Sequence, residues 1–178
     1  MSASHPETMS GGCQCGAVRF RAGHLGRPSI CHCRMCQKHF GSFFGAFVTA
    51  DRAHLEWTRG QPTLWRSSDQ CLRGFCNRCG TPLTYHHPGG VELAIGAFDH
   101  PEKLEPAIQV NHDKRLPWID RLFEKPVLQS AEADAFFATI VSHQHPDHDT
   151  TVWPPEDDGE PAPRRRHGRH GSGEGVEG

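Results

Sequence analysis

Long apolar runs are missing from this sequence. The longest apolar-rich stretch, Phe43–Val48, is far too short to cross a bilayer as a helix, so no membrane association is expected. The polar stretch Met1–Ser10 lacks the apolar core of a signal peptide. A strong net charge is missing too. Residues 1–142 carry 15 basic and 13 acidic side chains, net +2, which is not the footprint of a nucleic-acid binder. No repeat is visible beyond the cysteine clusters, and no βαβ pattern frames a thioredoxin-like C-x-x-C. These absences predict a cytoplasmic protein, in a compartment where clustered thiols serve as metal ligands rather than disulfides.

Apolar residues also run out near residue 142. From His143 to Gly178 only Val152, Trp153, Ala162 and Val176 are apolar, among eight acids and four arginines, net −4. Such a stretch cannot offset its ordering entropy. The expected organisation is a flexible N-terminus over 1–9, one domain over 10–142 and a disordered polar tail over 143–178. Arg164–Arg166 reads as a solvated basic knot, and His143, His145 and His148 are assigned no function.

What the chain does have is clustered cysteine. Seven of its eight cysteines form Cys13-x-Cys15, Cys31-x-Cys33-x-x-Cys36 and Cys76-x-x-Cys79. Two sulfurs from one tight turn and two from another is the recurring pattern of thiolate zinc sites. Cys31, Cys33 and Cys36 lie within six residues and could face one ion. That leaves Cys13 and Cys15 to meet Cys76 and Cys79 in a closed set of four. Gly16 and Gly80 follow those pairs and permit the positive φ a metal-binding turn needs. Two zinc ions per chain are therefore expected. The closed four would be structural. The open three would be catalytic, because a catalytic zinc keeps a position free for water or substrate. Cys71 reads as a buried strand cysteine.

The rest is mostly strand. Val18 and Phe20 alternate with arginines, and Phe43–Val48 is an apolar run. Leu55 and Trp57, Leu83 and Tyr85, then Val91, Leu93 and Ile95 alternate as half-buried strands do, and Ile108 and Val110 add one more. Gly and Pro punctuate these runs. One helix is predicted from Ala131 to Val141, capped by Ser130 with Glu132 and Asp134 in its first turn. The expected fold class is mainly β, an antiparallel, sandwich-like zinc-binding domain with one C-terminal helix.

Gly12-Cys13-Gln14-Cys15-Gly16-Ala17-Val18, then Cys31-His32-Cys33-Arg34-Met35-Cys36-Gln37-Lys38 and Gly41, resemble the glutathione-dependent formaldehyde-activating enzyme family. This zinc-binding family also includes centromere protein V. The resemblance continues through Gly74–Leu83, Ile95–Pro101 and Leu116-Pro117-Trp118, and covers roughly residues 10–125. It implies a β-rich fold with the same division of sites. Cys13, Cys15, Cys76 and Cys79 would hold the structural ion, and Cys31, Cys33 and Cys36 the active-site ion. It also implies a carbon–sulfur lyase activity run towards synthesis, forming S-hydroxymethylglutathione from glutathione and formaldehyde. His39 stands where many members are expected to carry a small residue.

The residues make thiol chemistry coherent. Three thiolates on Zn²⁺ leave a formal charge of −1 and one open position, where an entering thiol would lose its proton. Three anionic ligands weaken Lewis acidity, which favours thiol chemistry over hydrolysis. The partners expected are a small thiol such as glutathione and a small aldehyde. Arg34, Lys38, Arg73 and Arg78 flank the clusters as candidate carboxylate partners, each read as a solvated surface charge. The alternative function is a non-catalytic zinc-binding module that mediates protein interaction.

Overall fold

The computed structural model describes residues 7–153. These form ten strands and two α-helices: β1 (Met9–Gly12), β2 (Arg19–Ala22), β3 (Pro28–Cys31), α1 (Arg34–Phe40), β4 (Gly45–Ala50), β5 (Leu55–Arg59), β6 (Thr63–Arg66), β7 (Leu72–Phe75), β8 (Pro82–His87), β9 (Gly90–Ala94), β10 (Ile108–Val110) and α2 (Ala131–Phe137). A three-stranded sheet runs β1-β2-β5, and a seven-stranded sheet runs β10-β3-β4-β9-β8-β7-β6. The mainly β, antiparallel class is as the sequence predicts. One pair departs from it: β10 lies parallel to β3.

The alternating segments become strands because alternation puts one set of side chains on each face. Val48 faces Leu93 and Ala50 faces Val91 across the β4–β9 pair. These four join Phe20 and Ala22 of β2, with Met9, Leu25, Phe98 and Leu104, in one core shared by both sheets. Phe20 is fully buried, edge-on to Phe98 at 5.0 Å and to Trp57 at 5.8 Å. The other face of the large sheet carries the complementary row. Trp65 pairs with Arg73, Arg73 with Tyr85 and Tyr85 with Glu92. Ser29 of β3, opposite Phe47, and Cys31, opposite Gly45, lie on the same face as Phe47 and Glu92.

Helix α1, absent from the sequence reading, covers that second face. It is only seven residues long, with Cys33 at its N-cap and Gly41 closing it in the left-handed conformation at φ 58°. Lys38 and His39 sit in its last turn, where the helix dipole favours positive charge. Gly45 seats the helix on the sheet. A Cβ there would lie 2.7 Å from Phe47 Cε2 and 3.1 Å from Cys36 Cβ. Helix α2 is shorter than predicted, ending at Phe137. Ser130 caps it as expected, accepting from the Ala133 N–H at 3.3 Å, and no residue of it is buried.

The region expected to be a disordered tail needs a correction over residues 143–153. This segment straps across the first cysteine turn. The His145 N–H donates to the Gln14 carbonyl and the Trp153 indole N–H to the Cys15 carbonyl, both at 2.7 Å. Asp149 accepts from Arg19 at 2.9 Å and from Arg21 at 2.8 Å, and His145 is buried. Composition misleads here because the segment docks through hydrogen bonds and ion pairs more than through apolar area. The expectations for residues 1–6 and 154–178 lie outside the described residues. Residue 9, placed in the flexible N-terminus by the sequence, opens β1.

Arg19 also pairs with Asp99 through both guanidinium nitrogens, at 2.7 and 2.6 Å, with both side chains buried. Burial alone would push the Asp99 carboxyl up. The Arg19 and Ser10 hydrogen bonds outweigh it and hold the group below its ordinary range. Asp149 is lowered in the same way by Arg19 and Arg21 against the effect of burial. Folded values below unfolded ones give stability that is present above about pH 4 and lost as pH falls through the lowered values. Truncation after Ser142 should therefore lower stability by about 2 kcal/mol at neutral pH. The gap between full-length and truncated protein should narrow as pH falls below about 4 and Asp149 takes up a proton, which thermal unfolding across pH would measure. Gly45→Ala should cost about 1–3 kcal/mol in urea unfolding by prising α1 off the sheet.

Candidate metal centres and the cavity beside them

The structure gathers the seven clustered cysteines into the two groups predicted. Cys13, Cys15, Cys76 and Cys79 form one, Cys31, Cys33 and Cys36 the other, with the sulfurs of each group within 4.8 Å of one another. Cys13 and Cys15 sulfurs are 3.6 Å apart, and Cys15 and Cys76 sulfurs 3.8 Å. A tetrahedral ion with Zn–S bonds near 2.3 Å needs sulfurs about 3.8 Å apart, whereas a disulfide needs about 2.05 Å. The residues therefore fit a thiolate-bound ion such as zinc, and all eight cysteines are free.

The four-sulfur group is built from two similar turns. Gly16 has φ 71° and donates to the Cys13 carbonyl at 3.0 Å; Gly80 has φ 82° and donates to the Cys76 carbonyl at 2.8 Å. Both glycines thus adopt the conformation for which they were singled out. Cys13 and Cys76 are buried, and the Val18 N–H donates to the Cys13 sulfur at 3.2 Å. Burial pushes the Cys13 thiol far up, while Thr81 hydrogen bonds outweigh burial at Cys79 and bring it down to about 6.

The three-sulfur group sits where β3 ends and α1 begins. Cys31 closes the strand, Cys33 caps the helix and Cys36 lies one turn along it. Asn111, left-handed at φ 53°, donates its amide to the Cys31 sulfur at 3.3 Å. The Cys36 hydrogen bond pulls Cys31 down to about 5, and the same contact with burial pushes Cys36 far up. His32, between two of these cysteines, is buried with Nε2–H donating to Gln109 Oε1 at 2.8 Å. The Gln37 amide holds the His32 carbonyl at 2.8 Å and so fixes the loop.

All three sulfur-bearing residues of this group line a cavity of about 260 Å³, whereas the four-sulfur group borders a smaller one of about 160 Å³ through Cys13 alone. The wall of the larger cavity includes Phe47, Arg73, Tyr85, Glu92 and Asn111. Phe47 is the pocket-wall phenylalanine; Phe43 instead meets Trp118 edge-on at 4.8 Å, half exposed. Burial raises the Glu92 carboxyl above its ordinary value. His39, three residues beyond Cys36, borders a neighbouring cavity of about 210 Å³ with Lys38, Trp65 and Arg73. Burial, aided by the Arg73 charge, drops its pKa to about 4, so the ring is neutral at pH 7.

Two sequence readings change. Arg73, taken as a solvated charge, is 2% exposed. Its Nη2 donates to the Cys36 sulfur at 3.5 Å, and its guanidinium lies 4.9 Å from the Tyr85 ring centroid. Arg34, Lys38 and Arg78 are exposed as expected. Cys71 is half-buried just before β7, 3.1 Å from the Tyr85 hydroxyl, and belongs to neither sulfur group. The stretch Leu72-Arg73-Gly74-Phe75 has no apolar alternation, so it carried no signal for β7 or for its inward-facing arginine. Glu92, between Val91 and Leu93, carried one by its parity with Tyr85 across the strand pair.

No helix of the described residues is long and apolar enough to cross a membrane. The family model described as glutathione-dependent formaldehyde-activating enzyme matches residues 8–114. Among solved structures, the crystal structure of a Rhodobacter sphaeroides protein is similar at 22% identity and a TM-score of 0.48, covering 57% of this chain and 100% of that one. The family match takes in both sulfur groups and every strand, so this chain belongs to the glutathione-dependent formaldehyde-activating enzyme family.

Proposed function

We propose that this protein is a zinc-dependent enzyme of the carbon–sulfur lyase type that joins a small thiol to a small aldehyde. Glutathione and formaldehyde are the pair that the family description suggests. The observation that carries this reading is the contrast between the two sulfur groups. One is a closed four held in turns, and the other is an open three facing a cavity lined by Arg73, Tyr85 and Glu92. In this reading Cys13, Cys15, Cys76 and Cys79 hold a structural zinc, and Cys31, Cys33 and Cys36 hold the active-site zinc, in a single domain to which the strap over 143–153 also belongs. A reducing cytoplasm keeps all seven thiols available.

Zinc held by three thiolates supplies an open position that favours deprotonation of an incoming thiol over hydrolysis. The reaction itself is an addition. The thiol sulfur forms a bond to the aldehyde carbon, the carbonyl π pair moves to oxygen, and the thiol proton ends on that oxygen. Glu92 is the wall carboxylate able to hold this proton in transit, since burial raises its affinity for one. Phe47 and Met35 shield the apolar side of the cavity, and Asn111 fixes the Cys31 sulfur.

Native mass spectrometry should find two zinc ions per chain. Cys76→Ala should lose the fold, whereas Cys33→Ala should leave it mostly intact with one ion. In cobalt-exchanged protein, glutathione should shift the thiolate-to-cobalt charge-transfer band, and Cys33→Ala should abolish that response. Adduct formation from glutathione and formaldehyde should exceed the buffer rate. A silent spectrum with no accelerated adduct formation would instead favour a non-catalytic zinc module that mediates protein interaction.

A further inference from the structure

A buried guanidinium normally sits against a carboxylate, because an unpaired buried charge is strongly unfavourable. Arg73 has none among the described residues. Its Nε and Nη1 are buried without a hydrogen-bond partner, and Nη2 reaches only the Cys36 sulfur. Register explains how it is held. Arg73 lies between Trp65 and Tyr85 in one cross-strand row, and its guanidinium packs over the Tyr85 ring. The Tyr85 hydroxyl is in turn anchored at Cys71, 3.1 Å away. Side chains from three adjacent strands thus press one fixed positive charge against the three-sulfur group.

We infer that Arg73 is the counter-ion of the three-cysteine metal centre, a positioning residue that makes the site accept an anionic fourth ligand. The inference rests on reading Cys31, Cys33 and Cys36 as an open metal site. A divalent ion with three thiolates carries a formal charge of −1, and Arg73 brings the buried assembly to zero. An incoming thiolate then raises the total only to −1. Without Arg73 it would reach −2 in a poorly hydrated pocket, where each unit of uncompensated charge is costly. The hydrogen bond from Nη2 also withdraws donor strength from the Cys36 sulfur, leaving the metal a better acceptor. Cys71 and Tyr85, otherwise idle, gain a role as the bracket that keeps the guanidinium in place.

The test uses cobalt-exchanged full-length protein. Arg73→Met should weaken glutathione binding at the cobalt centre by about tenfold or more and move the charge-transfer band even before thiol is added. Arg73→Lys, which keeps the charge on a different head group, should retain most of the affinity. The four-cysteine cobalt signal and far-ultraviolet circular dichroism report folding. A second measurement needs no variant: the wild-type cobalt centre should take up azide, since a three-thiolate centre left at −1 would repel a second anion. Unchanged affinity and spectrum in folded Arg73→Met, equal weakening by Lys and Met, or a wild-type centre that excludes azide would each overturn the inference. Failure of the wild-type cluster to bind cobalt at all would instead sink the underlying reading of the site.

Discussion

Everything in this fold depends on four sulfurs that converge from two turns far apart in sequence. Cys15 and Cys76 are separated by 61 positions, yet their sulfurs meet at 3.8 Å. The first turn leads from β1 into β2 of the small sheet, and the second links β7 to β8 of the large one. The convergence therefore staples the two sheets at one end of their shared core. Closing a long loop removes entropy from the unfolded chain. A structural zinc would contribute about 10–16 kcal/mol of apparent binding free energy to the folded state. The strap over 143–153 acts on the same place from outside, because it is anchored on the Gln14 and Cys15 carbonyls and on Arg19. It closes the turn whose sulfurs do the stapling.

Given that staple, the period of two does the rest. One face of the large sheet turns Val48, Ala50, Val91 and Leu93 towards the small sheet. The residues between them must then face the other way. That alternation delivers Phe47, Arg73, Tyr85 and Glu92 to a common surface, and α1 completes the cavity by bringing Cys36 over it. The site needs no separate scaffold; it is the reverse side of the core.

The grouping of the seven cysteines was legible in the sequence because cysteine spacing is a local constraint, read without knowing the fold. Gly16 and Gly80 were legible for the same reason. Strands with clean alternation were also found, whereas β1, β3, β6 and β7 were not, since β1 is Met-Ser-Gly-Gly and Ser29, Arg66 and Arg73 interrupt the apolar pattern of the others. Helix α1 escaped because seven residues complete barely two turns, too few to establish a period. Arg73 and the strap were misread through one shared assumption, that charged or polar residues belong in solvent. Both are held by partners distant in sequence: Tyr85 and Cys36 for the arginine, the Cys15 carbonyl and Arg19 for the strap. Pairings of that kind exist only once the sheets have formed.

The same ligand chemistry is therefore put to two uses by its surroundings. Around the four-sulfur group the protein supplies backbone: turn glycines, the Val18 N–H and a strap that reaches the Cys15 carbonyl. Four anionic ligands would complete a tetrahedral ion, leaving no position to which a substrate could bind. Around the three-sulfur group it supplies side chains with charge and reach. Asn111 donates to Cys31, Arg73 donates to Cys36, and Glu92 stands across the cavity. The missing fourth sulfur is matched by open volume, which lies between the three cysteines and the row of Arg73, Tyr85 and Glu92. Ligand count alone distinguishes a closed site from an open one; under the proposed function, the placement of Arg73 and Glu92 on the strand row beside it would suit the open one to moving a proton and a thiol.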